Sequence, residues 1–277
     1  MALPSFKISR KRWKWIRAVL VGYVLVGTVL YFLQEKFMFH PKVLDNDAVL
    51  NISQPYEEIR LPVSDGKMIH ITRFTTTDSV PRGAVLYFHG NRNNVEHYAS
   101  ASELLTQSGY EVWMPEYPGF GKSTGERSET IMKQDAELVY KLLRSRFAAD
   151  SIIIYGRSLG SGPASWLASR VDCKRLILET PYSSMVDLMQ HYAFIFPVRW
   201  LAKYEFDNKA CLPDVDAPVT IFHGTSDGVI PIKLARKLAA ASPANTELIE
   251  VQGGGHNDLR EFPVFVDMLK VIVKDNP

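Results

Sequence analysis

Ser158 lies in the run Ile152-Ile153-Ile154-Tyr155-Gly156-Arg157-Ser158-Leu159-Gly160-Ser161-Gly162, where an apolar stretch of strand type enters Gly-x-Ser-x-Gly and leaves toward a helix. Such a serine suits acyl transfer, but its hydroxyl is a weak nucleophile until a base activates it, and the base needs a third group to orient it. Glycines two places before and after the serine permit a turn too tight for side chains, through a strained backbone region that holds Oγ clear. A helix beginning near Leu159 would aim unpaired N–H groups at whatever Ser158 attacks, so the N–H of Leu159 is a candidate oxyanion donor. Glycine-rich strand-to-helix turns also occur without chemistry, and the weight therefore falls on the partners.

Two loops offer them. Gly253-Gly254-Gly255-His256-Asn257-Asp258 follows the last expected strand, and its glycines let His256 swing over the sheet edge as the base. His223-Gly224-Thr225-Ser226-Asp227-Gly228 follows the strand before, presenting Asp227 as the carboxylate that fixes the imidazole tautomer. Glu179, ending the strand after the nucleophile's helix, is the competing acid, whereas Asp214 and Asp216 precede their strand and belong to the opposite edge. Asp258 reads as the N-cap of the last helix.

The turn Phe88-His89-Gly90-Asn91-Arg92-Asn93 supplies the N–H of Asn91 as the second oxyanion donor, with His89 as a turn-stabilising residue. Four aromatics are candidate substrate-binding residues. Tyr117 belongs to the loop Pro115–Ser123, for which a plain tight turn is an equal reading. Tyr182, Phe194 and Trp200 belong to residues 181–213, too apolar for an ordinary loop, which read as a small inserted cap; packing on the sheet edge is the other reading.

The elements that must position these residues alternate. Tyr56–Pro62 and Lys67–Phe74 read as strands joined across Ser64-Asp65-Gly66. Strands at 84–88, 110–114, 151–155, 175–178, 218–222 and 247–251 then alternate with helices at 95–107, 129–147, 159–170, 232–241 and 259–273. The helix from Glu129 carries Met132, Ala136, Val139, Tyr140, Leu143 and Phe147 on one face, with Ser128 as its N-cap. This rhythm predicts an α/β fold with a mostly parallel central sheet flanked by helices.

Ahead of that domain, residues 18–34 carry no charge and show no polar face, which predicts a transmembrane helix. Trp13, Trp15, Tyr31 and Phe32 stand where interfacial aromatics belong, and Arg17 can snorkel. A cleavable signal is the rival, but Tyr31-Phe32-Leu33-Gln34-Glu35-Lys36 lacks a small-x-small site. Lys7, Arg10, Lys11, Arg12, Lys14 and Arg17 precede the span without an acidic residue among them. The expected arrangement is single-pass: residues 1–17 cytoplasmic, 35–55 a connector, and the hydrolytic domain, 56–277, on the extracytoplasmic side, periplasm or lumen.

The 277 residues suffice for one such domain, and 46% hydrophobic content with a net charge of +2 describes a globular protein with no nucleic-acid partner. Cys173 and Cys211 are the only cysteines and show no metal or redox spacing. They read as reduced buried thiols, with a disulfide as the alternative.

At these motifs the chain resembles the α/β-hydrolase superfamily, specifically its membrane-anchored α/β-hydrolase-domain branch. The likeness covers roughly residues 56–273: the HGN turn, the GRSLGSGP elbow, the ETPYSS stretch, the HGTSD acid loop and the GGGHND base loop, in order. It implies the α/β-hydrolase fold and an ester, thioester or related acyl hydrolase, palmitoyl-protein thioesterases being among the eukaryotic members. Those members resemble soluble proteins held by a lipidated cysteine-rich N-terminus; here no cysteine precedes Cys173, and an apolar helix takes that place.

The expected reaction is acyl-enzyme hydrolysis by Ser158, His256 and Asp227, needing no metal or organic cofactor, on a small-molecule or lipid-like acyl substrate or an acylated protein. The alternatives are a peptidase or amidase on the same triad, and a membrane-tethered binding protein without turnover.

Overall fold

A computed structural model describes residues 9–63 and 66–275; Lys7 of the basic cluster, and Ser64 and Asp65 of the expected hairpin turn, lie outside the described residues. The chain begins with α1 (Arg10–Met38), continuing well past both ends of the uncharged stretch. Ser9 Oγ caps it by accepting from Arg12 N–H, and the Arg and Lys residues of the first turns are good helix formers. The connector that follows is a packed strap. Its β1 (His40–Pro41) precedes the hairpin of β2 (Tyr56–Pro62) and β3 (Met68–Phe74).

The first central strand is β4 (Gly83–Phe88), followed by β5 (Arg92–Asn93), which pairs in parallel with β1. The helix expected at 95–107 is broken into α2 (Val95–Tyr98), a 3₁₀ turn at Ala99–Ser102 and α3 (Glu103–Thr106). Ser102 Oγ donates to the Ala99 carbonyl, the kind of side-chain competition that disfavours a regular helix. Next come β6 (Tyr110–Pro115), α4 (Glu129–Arg144), capped by Ser128 Oγ accepting from Ile131 N–H, and β7 (Ile152–Arg157).

After β7 lie α5 (Ser161–Ala168), β8 (Arg175–Glu179) and three short helices, α6 (Met185–Tyr192), α7 (Val198–Leu201) and α8 (Asn208–Cys211), which make up the segment expected as a cap. The chain closes with β9 (Val219–Gly224), α9 (Ile232–Ala239), β10 (Thr246–Val251) and α10 (Pro263–Lys274). Pro263 starts α10, so the expected helix from 259 is a 3₁₀ turn followed by a new helix.

Eight strands form one sheet in the order β10-β9-β8-β7-β4-β6-β3-β2, parallel throughout except where β3 meets β2 and β6. Alternation along β7 divides the core: Ile152 and Ile154 face α4, α5 and α9, while Ile153 and Tyr155 face α3 and α10. Both faces are covered, which explains the continuous apolar runs. Strand order reverses around β4, and the carboxyl ends of β4 and β7 open at that switch point, where open α/β sheets place their ligands. Cys173 and Cys211 are free, and burial pushes the Cys173 thiol up to about 12.

Candidate active site

Ser158 follows β7 at φ +51, a left-handed conformation costing a non-glycine residue on the order of 1–3 kcal/mol. Its neighbours explain how the strain is held. A Cβ on Gly160 would come within 2.0 Å of the Phe88 carbonyl oxygen at the end of β4, and one on Gly156 within 2.6 Å of the Ala164 Cβ. The elbow is thus wedged between β4 and α5. Ser161 Oγ donates to the Ser158 carbonyl (2.6 Å), and the Tyr182 hydroxyl donates to the Leu159 carbonyl (3.1 Å).

His256 Nε2 stands 3.0 Å from Ser158 Oγ, and its Nδ1 stands 2.7 Å from Asp227 Oδ2. A carboxylate accepts only, so Nδ1 donates to it, and in the neutral form of the ring Nε2 is the acceptor turned toward the serine. Asp227 is buried, and its Oδ1 accepts from the N–H groups of Val229 and Ile230, both 2.8 Å. Burial alone would raise its pKa; the hydrogen bond and charge of His256 and these two N–H groups outweigh it and hold the carboxyl below its ordinary range. His223 packs beside it, donating from Nε2 to the Ile230 carbonyl (2.8 Å), and burial holds this imidazole's pKa down.

The histidine loop is fixed by Asp258, whose Oδ1 accepts from Gly255 N–H (2.6 Å). This corrects its expected role: Asp258 makes no side-chain cap to the following turn, because its carboxylate turns back to close the loop.

At the end of β4, Asn91 donates from Nδ2 to the Met38 carbonyl (2.6 Å), and its own carbonyl accepts from His40 N–H (2.9 Å). These contacts use its side-chain donor and its carbonyl, not its N–H. His89 is buried beneath, with Nδ1 donating to the Gly90 carbonyl (2.8 Å) and Nε2 3.0 Å from Glu116 Oε2. Glu116 Oε1 in turn accepts from Val95 N–H (2.6 Å), so one imidazole–carboxylate pair ties the turn to α2.

The four aromatics divide. Tyr117 is buried, donating to the His89 carbonyl (2.6 Å), and Tyr182 is buried as a brace on the elbow. Phe194 and Trp200 lie instead on the outside of the segment, 76% and 84% exposed.

Glu179 is absent from the histidine's contacts and does something else. Its buried carboxylate meets Arg157 Nε at 3.2 Å, Arg260 Nη2 at 2.9 Å and the Tyr155 hydroxyl. Burial raises its pKa, but the charges of Arg260 and Arg157 prevail and hold it below the usual range. Arg157 immediately precedes Ser158 and also donates to Asn257 Oδ1 (3.3 Å), next to His256. One carboxylate therefore clamps the loops of Ser158 and His256 together. The available signals were an arginine beside the serine and a glutamate ending the apolar run Leu176-Ile177-Leu178.

Residues 79–210 match a family model described as serine aminopeptidase, S33. The α/β-hydrolase domain-containing protein 17C of Xenopus tropicalis is 32% identical over 201 residues, which cover 69% of this chain and 62% of that protein. Its counterpart from Mus musculus is 30% identical, over 69% of this chain and 60% of that protein. The chain thus spans about three fifths of the length of the curated relatives it matches. Among solved structures, an esterase from Pyrococcus furiosus superposes with a TM-score of 0.64 at 19% identity, covering 85% of this chain and 95% of that one. The 2,6-dihydroxy-pseudo-oxynicotine hydrolase gives 0.65 at 19%, covering 81% and 69%. At such identities these likenesses concern the fold.

Proposed function

Because the chain belongs to the α/β-hydrolase superfamily, we propose that it is a membrane-anchored serine hydrolase that cleaves an ester or thioester through an acyl-enzyme. The observation that carries this reading is the continuous contact from Ser158 Oγ through the His256 ring to Asp227, at 3.0 and 2.7 Å. Ser158 Oγ attacks the acyl carbonyl as His256 Nε2 takes its proton. The oxyanion is held by the N–H groups of Leu159 and Asn91 while Asp227 stabilises the imidazolium. His256 then protonates the leaving oxygen or sulfur, and water, activated by the same ring, releases the acid.

An amide would react by the same steps, and the aminopeptidase description of the matching family model favours testing it. The full chain in detergent should react with a fluorophosphonate probe and hydrolyse a p-nitrophenyl ester series faster than matched p-nitroanilides. Absence of labelling would overturn the mechanism, and faster anilide turnover the substrate class.

Membrane anchoring rests on α1, which is long and apolar enough to cross a bilayer and is largely exposed along its length. Arg10, Lys11, Arg12, Lys14 and Arg17 at its start orient it with the N-terminus cytoplasmic and the hydrolase domain on the other side. Protease added outside intact spheroplasts should therefore digest the domain; full protection would reverse the orientation.

A further inference from the structure

The apolar surface of α1 does not end with α1. Residues 192–202 (Tyr-Ala-Phe-Ile-Phe-Pro-Val-Arg-Trp-Leu-Ala) contain a single charge, yet Phe194, Ile195 and Trp200 are 76%, 60% and 84% exposed. Large apolar side chains left outward on one short segment mark a contact surface. We propose that this segment is a second membrane contact, immersed in the bilayer leaflet beside α1, so that the active site opens at the lipid surface. This rests on the reading of α1 as a membrane span.

The partner is identified by continuity. The Phe196 ring stacks on the Tyr23 ring at 4.8 Å, and Gly27 presents a bare backbone to the same ring. Farther along α1, Gln34 Nε2 donates to the Leu201 carbonyl (3.0 Å) while its Oε1 accepts from Lys203 N–H (2.8 Å). At 1.5 Å per residue, Gly27 and Tyr23 lie about 10 and 16 Å along the helix from Gln34. With Gln34 and Glu35 at the boundary of a hydrocarbon core roughly 30 Å thick, Ile195 and Phe196 reach about one leaflet's depth.

Several polar groups of the segment are paired within the protein rather than left to water. The Tyr23 hydroxyl donates to the Ile195 carbonyl (2.9 Å) and Gln190 Nε2 to the Phe194 carbonyl (3.0 Å), while the N–H groups of Phe196, Val198 and Trp200 find the carbonyls of Ala193, Phe196 and Pro197. An unmade bond at such depth would be strongly unfavourable, whereas in water these pairings would be dispensable. Arg199, the one charge, sits on a long stem able to reach the headgroups.

The segment also leads to the site. The Tyr192 hydroxyl donates to the carbonyls of Gly228 and Val229 (3.1 and 2.8 Å), and Val229 N–H is bound to Asp227 Oδ1. An acyl chain lying in the leaflet would thus arrive beside the catalytic loops without crossing bulk water.

Nitroxide labels placed on the full chain, in a Cys173→Ser, Cys211→Ser background reconstituted into phosphatidylcholine vesicles, test this. Labels at Phe194→Cys and Trp200→Cys should match one at Val21→Cys on α1. Their ratio of oxygen to water-soluble nickel accessibility should exceed severalfold that at Val80→Cys, on the exposed surface. Nickel-accessible labels at 194 and 200, with a lipid-like label at 21, would overturn this inference and leave the anchor standing. A nickel-accessible label at 21 would overturn both. Labels at 194 and 200 shielded from both reagents and broadened by mutual coupling would mean that a second copy of the chain covers the face, which also overturns it.

Discussion

Ser158→Ala is expected to lower the turnover of a p-nitrophenyl ester by about 10⁶-fold, since nucleophile, base and orienting acid act as a unit. His256→Ala should lose nearly as much, and the double variant no more than either alone, because in the proposed mechanism each removes the same acyl-enzyme route. The backbone offers a control. Alanine meets the same left-handed strain at φ +51 that serine does, so the thermal unfolding midpoint of Ser158→Ala should stay close to that of the parent. Steady-state kinetics beside a melting curve decide the matter. A variant retaining a tenth of the activity would remove Ser158 from the reaction.

Glu179→Ala should be the most destabilising of the single changes suggested by the site, by about 3–5 kcal/mol. It leaves Arg157 and Arg260 without their shared counter-ion and the Tyr155 hydroxyl without its acceptor. For a domain of this size the melting midpoint should fall on the order of ten degrees. The pH dependence has a definite sign: the folded carboxyl titrates below its unfolded value, so its contribution is complete above the ordinary glutamate range near ~4.3 and is lost as pH falls through the folded value. Wild-type stability should decline on acidification while the variant, already low, responds less over that window. Equal melting midpoints at neutral pH would show that the clamp adds nothing to the fold.

Much of the fold was legible because the buried strands and the tight turns leave local marks. Gly156 and Gly160 bracket the serine because the backbone of β4 and a side chain of α5 fill the space where a Cβ would go, and only glycine permits that approach. The loops of Asp227 and His256 could be placed because both follow expected strands that end at the same sheet edge. What stayed hidden depended on partners far apart in the chain. Glu179 offered a carboxylate at a plausible position, and nothing local revealed that two arginines, from β7 and from the turn before α10, would claim it. Aromatic content marked residues 181–213 as special, but composition does not say which ring points inward: Tyr182 braces the elbow while Phe194 and Trp200 face out. Nor did residues 35–55 announce that Phe39 would pack against Phe120 and Tyr204.

The hydrogen bond from Asn91 to the Met38 carbonyl ties the amino-terminal helix to the turn after β4. A fragment trimmed to begin after Met38, the obvious route to a water-soluble preparation, would leave that amide reaching for a carbonyl no longer there, on the residue whose backbone N–H is proposed as an oxyanion donor. Kinetic differences between such a fragment and the intact chain would then report a loosened loop as much as a lost address.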